Sequence, residues 1–389
     1  MKVLLIHNAY QHRGGEDAVF EDEARLLAER GHETRIYLRD NHEIDAQPRW
    51  RSAAEAIWSG RSQMEVGLIL DQWQPDVMHV HNTFSQVSPS VIWAAKRRRV
   101  AVVATLHNFR LACLEGTFLR QGQICEDCLG ASPWRGIARA CYRGSHAQSA
   151  VLASSTLLHR VLGTWRKNVH RFIALDPSSV PKFIAAGLPA DRIRVKPNFA
   201  WDIAAEPNVA ARKGGLFVGR LSPEKGVGVL AQALKLQPAL AQLTVIGSGP
   251  EQSAFEGSGA QMLGQQPQLV VRQQMYRAAY LVIPSIAQEQ FPRVLAEAFA
   301  AGLPVIAAAR GALSALVEEG VTGLHFEPAD SQDLAAKMTW AETHPDEIAA
   351  MGLKARIAHA ARYSPDAAYA ALMSTYVEAQ QSARQDRMR

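Results

Sequence analysis

Short runs of apolar residues recur along this chain, each closed by a polar or glycine-containing loop and followed by a stretch of helical periodicity. Val3–His7, Val77–Val80, Val100–His107 and Phe172–Leu175 form one series. Gly215–Val218, Leu243–Ile246, Tyr280–Ile283 and Val305–Ala308 form a second. Runs this short and this uniformly apolar lack the alternation of a half-solvated strand. Each must be covered on both faces, which is the situation of a strand inside a parallel sheet. Parallel neighbours need crossover connections, and the segments between the runs supply them as helices. The pattern predicts helices over Asp17–Arg30, Pro89–Arg98, Arg293–Ala301 and Pro365–Gln380, with Thr34–Leu38 as a further strand. Gly31 sits where a helix ends in the left-handed conformation.

The two series are separated at 198–213, where Asn198-Phe199-Ala200-Trp201-Asp202 and then Pro207-Asn208 interrupt the alternation. A chain of 389 residues is long for one core and sufficient for two. The expected fold class is therefore α/β, with two Rossmann-like doubly wound domains facing a central cleft. The first spans 1–200, the second 213–364, and 365–389 forms a C-terminal helix returning to the first. Ligands of such sheets bind beyond the carboxyl ends of the strands, so the loops that follow the apolar runs carry the chemistry.

Composition narrows the partners. At 48% hydrophobic and 20% charged the chain is of ordinary globular type, which excludes long disorder. No apolar run reaches the ~18 residues of a membrane span. The apolar start, Met1–His7, is too short for an export signal and reads as a buried strand, so the expected compartment is the cytoplasm. The net charge of +5 is unevenly spread, since residues 84–171 hold 13 basic and only 3 acidic side chains. That imbalance points to an anionic neighbour (a lipid diphosphate, an acidic membrane surface or a nucleic acid) or simply to a solvated basic face. Lys96-Arg97-Arg98-Arg99, preceded by Val91-Ile92-Trp93, is the candidate for peripheral contact with the inner face of the cytoplasmic membrane.

The second half carries the sharpest pattern. Gly219-Arg220-Leu221-Ser222-Pro223-Glu224-Lys225-Gly226 follows a predicted strand and precedes a predicted helix. Its glycines permit close backbone approach, and Arg220 and Lys225 supply the cations that a diphosphate requires. Further on, Glu289 stands in a strand-to-helix loop and Glu297 eight positions later on the helix itself. Carboxylates accept hydrogen bonds from vicinal hydroxyls, so such a pair can grip a ribose and a sugar. Glu297 lies between Leu295, Ala296, Ala298 and Phe299, an apolar setting that is costly for an unpaired charge.

Both segments resemble the donor-site motifs of family 4 retaining glycosyltransferases, which have the GT-B fold; the second matches that family's Glu-x7-Glu pattern. The resemblance extends through Gly14-Gly15, Asp76-Val77-Met78-His79-Val80-His81-Asn82, Thr105-Leu106-His107-Asn108, Lys196-Pro197-Asn198 and Thr322-Gly323-Leu324. It implies transfer of a sugar from a nucleotide-sugar, UDP- or GDP-linked, to a glycan or lipid-linked acceptor in surface-polysaccharide or lipopolysaccharide assembly. The family's roles fall on Arg220 and Lys225 for the diphosphate, Glu297 for the ribose and Glu289 for the donor sugar. Gly15 would allow backbone approach, His107 would lie beside the reacting sugar, and Leu263–Gln265 would border the base. Gln290 and Phe291 are expected among the donor-binding residues; Gln290 stands where relatives usually carry glycine and would limit backbone approach or contact the sugar. Asn108 replaces a frequent aspartate. The resemblance also implies front-face attack within an ion pair. No Asp-x-Asp is present, so catalysis is expected without a metal cofactor.

All four cysteines, Cys113, Cys125, Cys128 and Cys141, fall in one basic, loop-rich insertion. Four thiolates suffice for a structural zinc site; four reduced, partly buried thiols are the alternative, and a redox pair a third. Two competing functional readings stand beside the transferase. One is another enzyme with the same two-domain fold, a phosphorylase or a sugar-nucleotide epimerase. The other is a nucleic-acid-binding protein built on the four cysteines, for which no aromatic-basic motif speaks; no nucleic-acid partner is expected.

Overall fold

The structure is a computed structural model that describes residues 1–11, 13–202, 212–240 and 242–388. Of the linker expected at 198–213, residues 203–211, Pro207-Asn208 among them, lie outside the described residues. The chain forms two compact units. Met1–Phe118, Glu126–Lys196 and Tyr369–Arg389 make the first, and Leu119–Cys125 with Pro197–Ala368 make the second.

The strands run β1 (Lys2–Ala9), β2 (Glu33–Asp40), β3 (Val77–Val80), β4 (Ala101–Leu106), β5 (Leu119–Arg120), β6 (Gln123–Ile124), β7 (Arg171–Ala174), β8 (Ile193–Val195), β9 (Gly215–Val218), β10 (Thr244–Ile246), β11 (Gln261–Gly264), β12 (Tyr280–Ile283), β13 (Val305–Ala308) and β14 (Gly323–Phe326). β5 and β6 are a small antiparallel pair within the cysteine-rich insertion. The first unit's sheet has the order β2-β1-β3-β4-β7-β8, and the second unit's sheet the order β11-β10-β9-β12-β13-β14. Every pairing in both is parallel. The strand order reverses between β1 and β3 in the first unit and between β9 and β12 in the second, so each unit has one topological switch point.

The apolar runs are interior. Val3, Leu4, Leu5 and Ile6 are fully buried, as are Val102 and Val103 on β4 and Leu281 on β12. Each such side chain contributes roughly 1.5–3 kcal/mol relative to exposure. The helix Gly15–Glu29 lays Val19, Phe20, Glu23 and Leu27 into the interior. The helix Pro365–Met388 gives its residues from Tyr369 onward to the first unit. There Tyr376 is fully buried, and Glu378 bridges Arg171 of β7 and Arg194 of β8, at 2.9 and 2.6 Å.

Candidate active site

In the second unit, the loops after β9 and β12, the two strands flanking the switch point, are held against each other by backbone contacts. The Glu224 carbonyl accepts from the Ile286 and Ala287 amides at 3.1 and 3.3 Å. Gly226 makes this approach possible. Its φ is +71°, and a Cβ there would fall 1.8 Å from the Pro284 carbonyl oxygen. Across the closed gap the Lys225 ammonium donates to Glu289 at 2.5 Å, and the Ser285 hydroxyl donates to the same oxygen at 2.9 Å. Burial works to lower the Lys225 pKa, but the Glu289 carboxylate outweighs it and holds the ammonium above its ordinary value. Arg220, on the same loop, is exposed.

Glu297 projects from the helix Arg293–Ala300 and is only 13% exposed. Its carboxylate lies 3.2 Å from the Arg293 guanidinium one turn back and accepts from the Gln268 amide at 2.8 Å. The charge that the apolar neighbours would have isolated is therefore paired. Gln290 is 4% exposed, and neither its amide oxygen nor its nitrogen has a hydrogen-bond partner. A buried amide left wholly unsatisfied is rare. Phe291 turns inward: its ring packs on Tyr363 at 5.3 Å, and its carbonyl accepts from Asn198 at 3.2 Å. The expectation that Phe291 binds the donor is corrected for its ring, which is buried and serves packing. Leu263–Gln265 lie at the carboxyl end of β11, half-buried to exposed.

In the first unit, His7 lies within β1 near its carboxyl end, and His81 and His107 directly follow β3 and β4. The register sets His7 of β1 level with His81, since Ile6 pairs with Val80, and Val80 with Ala104. Residues two apart share a face, so His79 and His81 stand with Thr105 and His107. Nδ1 of His81 lies 3.0 Å from Nε2 of His107. The Gly14-Gly15 loop is anchored by Asp17, whose carboxylate takes the Gly14 amide at 2.8 Å and Nε2 of His7 at 2.8 Å. Burial opposes that charge, but the bonds from His7 and Gly14 win and keep the carboxyl below its ordinary value. A Cβ on Gly15 would meet nothing within 4 Å, so the chain's own packing does not require glycine there. Asn108 donates to Glu16 at 2.8 Å, and Tyr10 donates to the same carboxylate at 2.6 Å. His107 lines a pocket together with Asn82, Phe84, Arg110, Leu152 and Trp165.

Sequence reasoning missed Asp17 and, above all, Glu23 and Lys196, which form a fully buried ion pair at 2.6 Å. The signal for Glu23 was available: it falls on the apolar stripe of its helix, four residues from both Val19 and Leu27. The membrane-contact reading of Val91-Ile92-Trp93 needs correction. Val91 and Ile92 are fully buried in the first unit's core, and Trp93 donates to Thr164 at 2.9 Å. Packing takes these side chains, so none is left to insert into a lipid surface. Of the adjoining cations, Arg98 pairs with Asp71 at 2.6 Å, while Lys96, Arg97 and Arg99 are exposed. The four cysteines are half-buried and form no disulfide. Burial raises the Cys113 thiol pKa.

Comparison with known proteins bears on what this arrangement does. Residues 13–200 match the family model described as Glycosyltransferase Family 4, and residues 212–343 the model described as Glycosyl transferases group 1. The chain is 28% identical over 310 residues to a D-inositol 3-phosphate glycosyltransferase of Nocardia farcinica; the match covers 74% of this chain and 63% of that protein. A lipopolysaccharide 1,2-N-acetylglucosaminetransferase of Salmonella typhimurium is 28% identical over 165 residues, 38% of this chain and 41% of that one. In both cases the match spans less than two thirds of the relative's length. Among solved structures, Anabaena HepE in complex with UDP superimposes with a TM-score of 0.68 at 20% identity, covering 96% of this chain and 99% of that one. The two family matches in order, on two parallel-sheet units of this topology, place the chain among the family 4 glycosyltransferases of the GT-B fold.

Proposed function

We propose that this glycosyltransferase moves a sugar, with retention of anomeric configuration, from a nucleoside-diphosphate sugar to a glycan or lipid-linked acceptor in cell-surface polysaccharide assembly. The observation that carries the donor half is the meeting of the loops beyond β9 and β12, which bear Arg220, Lys225, Glu289 and Gln290, with Lys225 donating to Glu289 across them. Lys225 and Arg220 neutralise the diphosphate, as a leaving group with developing charge requires. Glu297, already oriented by Arg293 and Gln268, accepts from the ribose hydroxyls. Glu289 and the unpartnered Gln290 amide take hydroxyls of the donor sugar. The HepE complex with UDP favours a uridine nucleotide, and the Salmonella relative favours a surface-glycan acceptor.

In this reading the bond from the anomeric carbon to the diphosphate breaks while the acceptor oxygen approaches the same face. The acceptor's proton passes to the departing phosphate oxygen. The protein places the partners and stabilises the leaving charge, with His107 and the open backbone at Gly15 as the first unit's contribution. The cationic role belongs to side chains, so no divalent ion is needed for turnover. Zinc, if held by Cys113, Cys125, Cys128 and Cys141, is structural. Thiolates are the ligand type that zinc takes, but among the described residues the group close enough to hold a metal ion is Glu23, His79 and His81, with no cysteine in it. Membrane attraction, in turn, is electrostatic, through Lys96, Arg97 and Arg99.

The test is transfer from UDP-glucose followed by proton NMR of the fresh product, repeated after EDTA treatment, with metal content measured on the same sample. Retained configuration and activity that survives EDTA are expected. An inverted product, or turnover restored only by added magnesium or manganese, overturns the reading.

A further inference from the structure

Beneath His107, inside the first unit, lies a cluster that donor binding does not use. Glu23 is fully buried. Its Oε1 is 2.6 Å from Nζ of Lys196, and its Oε2 is 3.5 Å from Nε2 of His81 and 3.7 Å from Nδ1 of His79. The ring nitrogens of His79 are both engaged by hydroxyls, Tyr376 at 2.8 Å and Thr105 at 2.8 Å. His81 differs. Its Nδ1 meets His107, and its Nε2 has no hydrogen-bond partner and faces the Glu23 carboxylate. His7, itself tied to Asp17, stacks on Phe20 at 4.6 Å, and Phe20 meets the His81 ring edge-on.

The chemistry of these groups fixes where the protons sit. Burial works against ionising Glu23, but the Lys196 ammonium keeps it a carboxylate. Burial also keeps His79 and His81 neutral. A carboxylate can only accept. Opposite it, Nε2 of His81 is favoured as N–H, because a lone pair there would meet negative charge. Nδ1 of His81 is then the acceptor, and the bond to His107 must be donated by Nε2–H of His107. That ring, also kept neutral by burial, is left with Nδ1 as its lone-pair atom.

We propose that Glu23 is a positioning residue: through His81 it sets the tautomer of His107, so that Nδ1 of His107 accepts a hydrogen bond from a substrate hydroxyl. The proposal rests on the reading of His107 as a sugar-side residue. Second-layer carboxylates orient histidines in this way wherever a ring's two nitrogens have different tasks. A different reading, a metal ion held by Glu23, His79 and His81, has the proximity it needs, since their ligand atoms lie within 4.8 Å of one another. It fails on charge and on vacancy: Lys196 already supplies a cation at 2.6 Å, and both His79 nitrogens are taken.

The experiment is long-range proton–nitrogen NMR on the full chain labelled with 15N-histidine, on wild type, Glu23→Gln and Glu23→Gln/Lys196→Met. Wild type is expected to show neutral His107 protonated at Nε2, and Glu23→Gln to shift it toward the Nδ1–H form. The single variant also removes the ion pair of Lys196 with Glu23 and lowers Tm; the double variant removes both charges of that pair and recovers Tm. Transfer is expected to fall roughly 10- to 100-fold in kcat in both, with KM little changed. An Nδ1–H tautomer in wild type, a tautomer indifferent to Glu23→Gln, kcat that recovers together with Tm, or metal bound stoichiometrically at this cluster would overturn the proposal. The tautomer is read without substrate, so a failure of the donor assignment is seen separately.

Discussion

Gly226 shows how one residue type makes the second unit's loops what they are. With φ at +71° and the Pro284 carbonyl where its side chain would be, any other residue strains the backbone and pushes the β9 and β12 loops apart. Gly226→Ala is expected to lower Tm, by a destabilisation of about 1–3 kcal/mol, and to weaken nucleotide binding with it; an unchanged Tm would mean that the loops do not meet as described. Residue chemistry of this kind was partly legible in the sequence. The glycines, Lys225, Glu289 and Glu297 stand in short motifs whose local context is already informative. The Lys225–Glu289 bond was not legible, because it joins residues on different strands' loops. The pairing of Glu23 with Lys196 was hidden for the same reason: only the fold brings a helix carboxylate to the amine that follows β8.

At the scale of elements, the interior strands were legible because burial on both faces leaves a continuous apolar run. β9, β12 and β13 coincide with their predicted runs. Of the outer strands, β2 was foreseen as Thr34–Leu38, but the other three were not. β8, β11 and β14 are sheet edges, and β8 and β11 carry polar residues where only one neighbour and partial cover constrain them. Elements also decide how the first unit responds to pH. His170, just before β7, accepts from the Val102 amide of β4 at 2.9 Å through Nδ1. Burial drives its pKa down to about 4, against a smaller opposing pull from Asp386. The unfolded chain, with an ordinary value near ~6.5, binds the proton more readily. The stability this histidine contributes is thus complete above that value and is lost as pH falls toward the folded one. Tm should fall between pH 7 and pH 5, and His170→Gln, which keeps an acceptor without the titration, should shallow the decline. Equal slopes in the two proteins would show that other groups govern it.

The whole molecule combines two parallel sheets whose sequences match different family models, one for each half. The division was read from the two series of apolar runs. That Leu119–Cys125 group with the second unit was not, because nothing in the local sequence marks a short hairpin as belonging elsewhere. Among the described residues no helix is long and apolar enough to cross a membrane. The central claim is that the second unit holds a nucleotide-sugar through Glu297 and the loops of Lys225 and Glu289. The most direct test is a thermal-shift comparison of UDP-, GDP-, ADP- and dTDP-sugars on the wild-type chain and on Glu297→Ala. One nucleotide is expected to raise Tm selectively, with the shift growing with ligand concentration as mass action requires and disappearing in the variant. Stabilisation that survives in Glu297→Ala, or none from any of the four with wild type, would contradict the donor site described here.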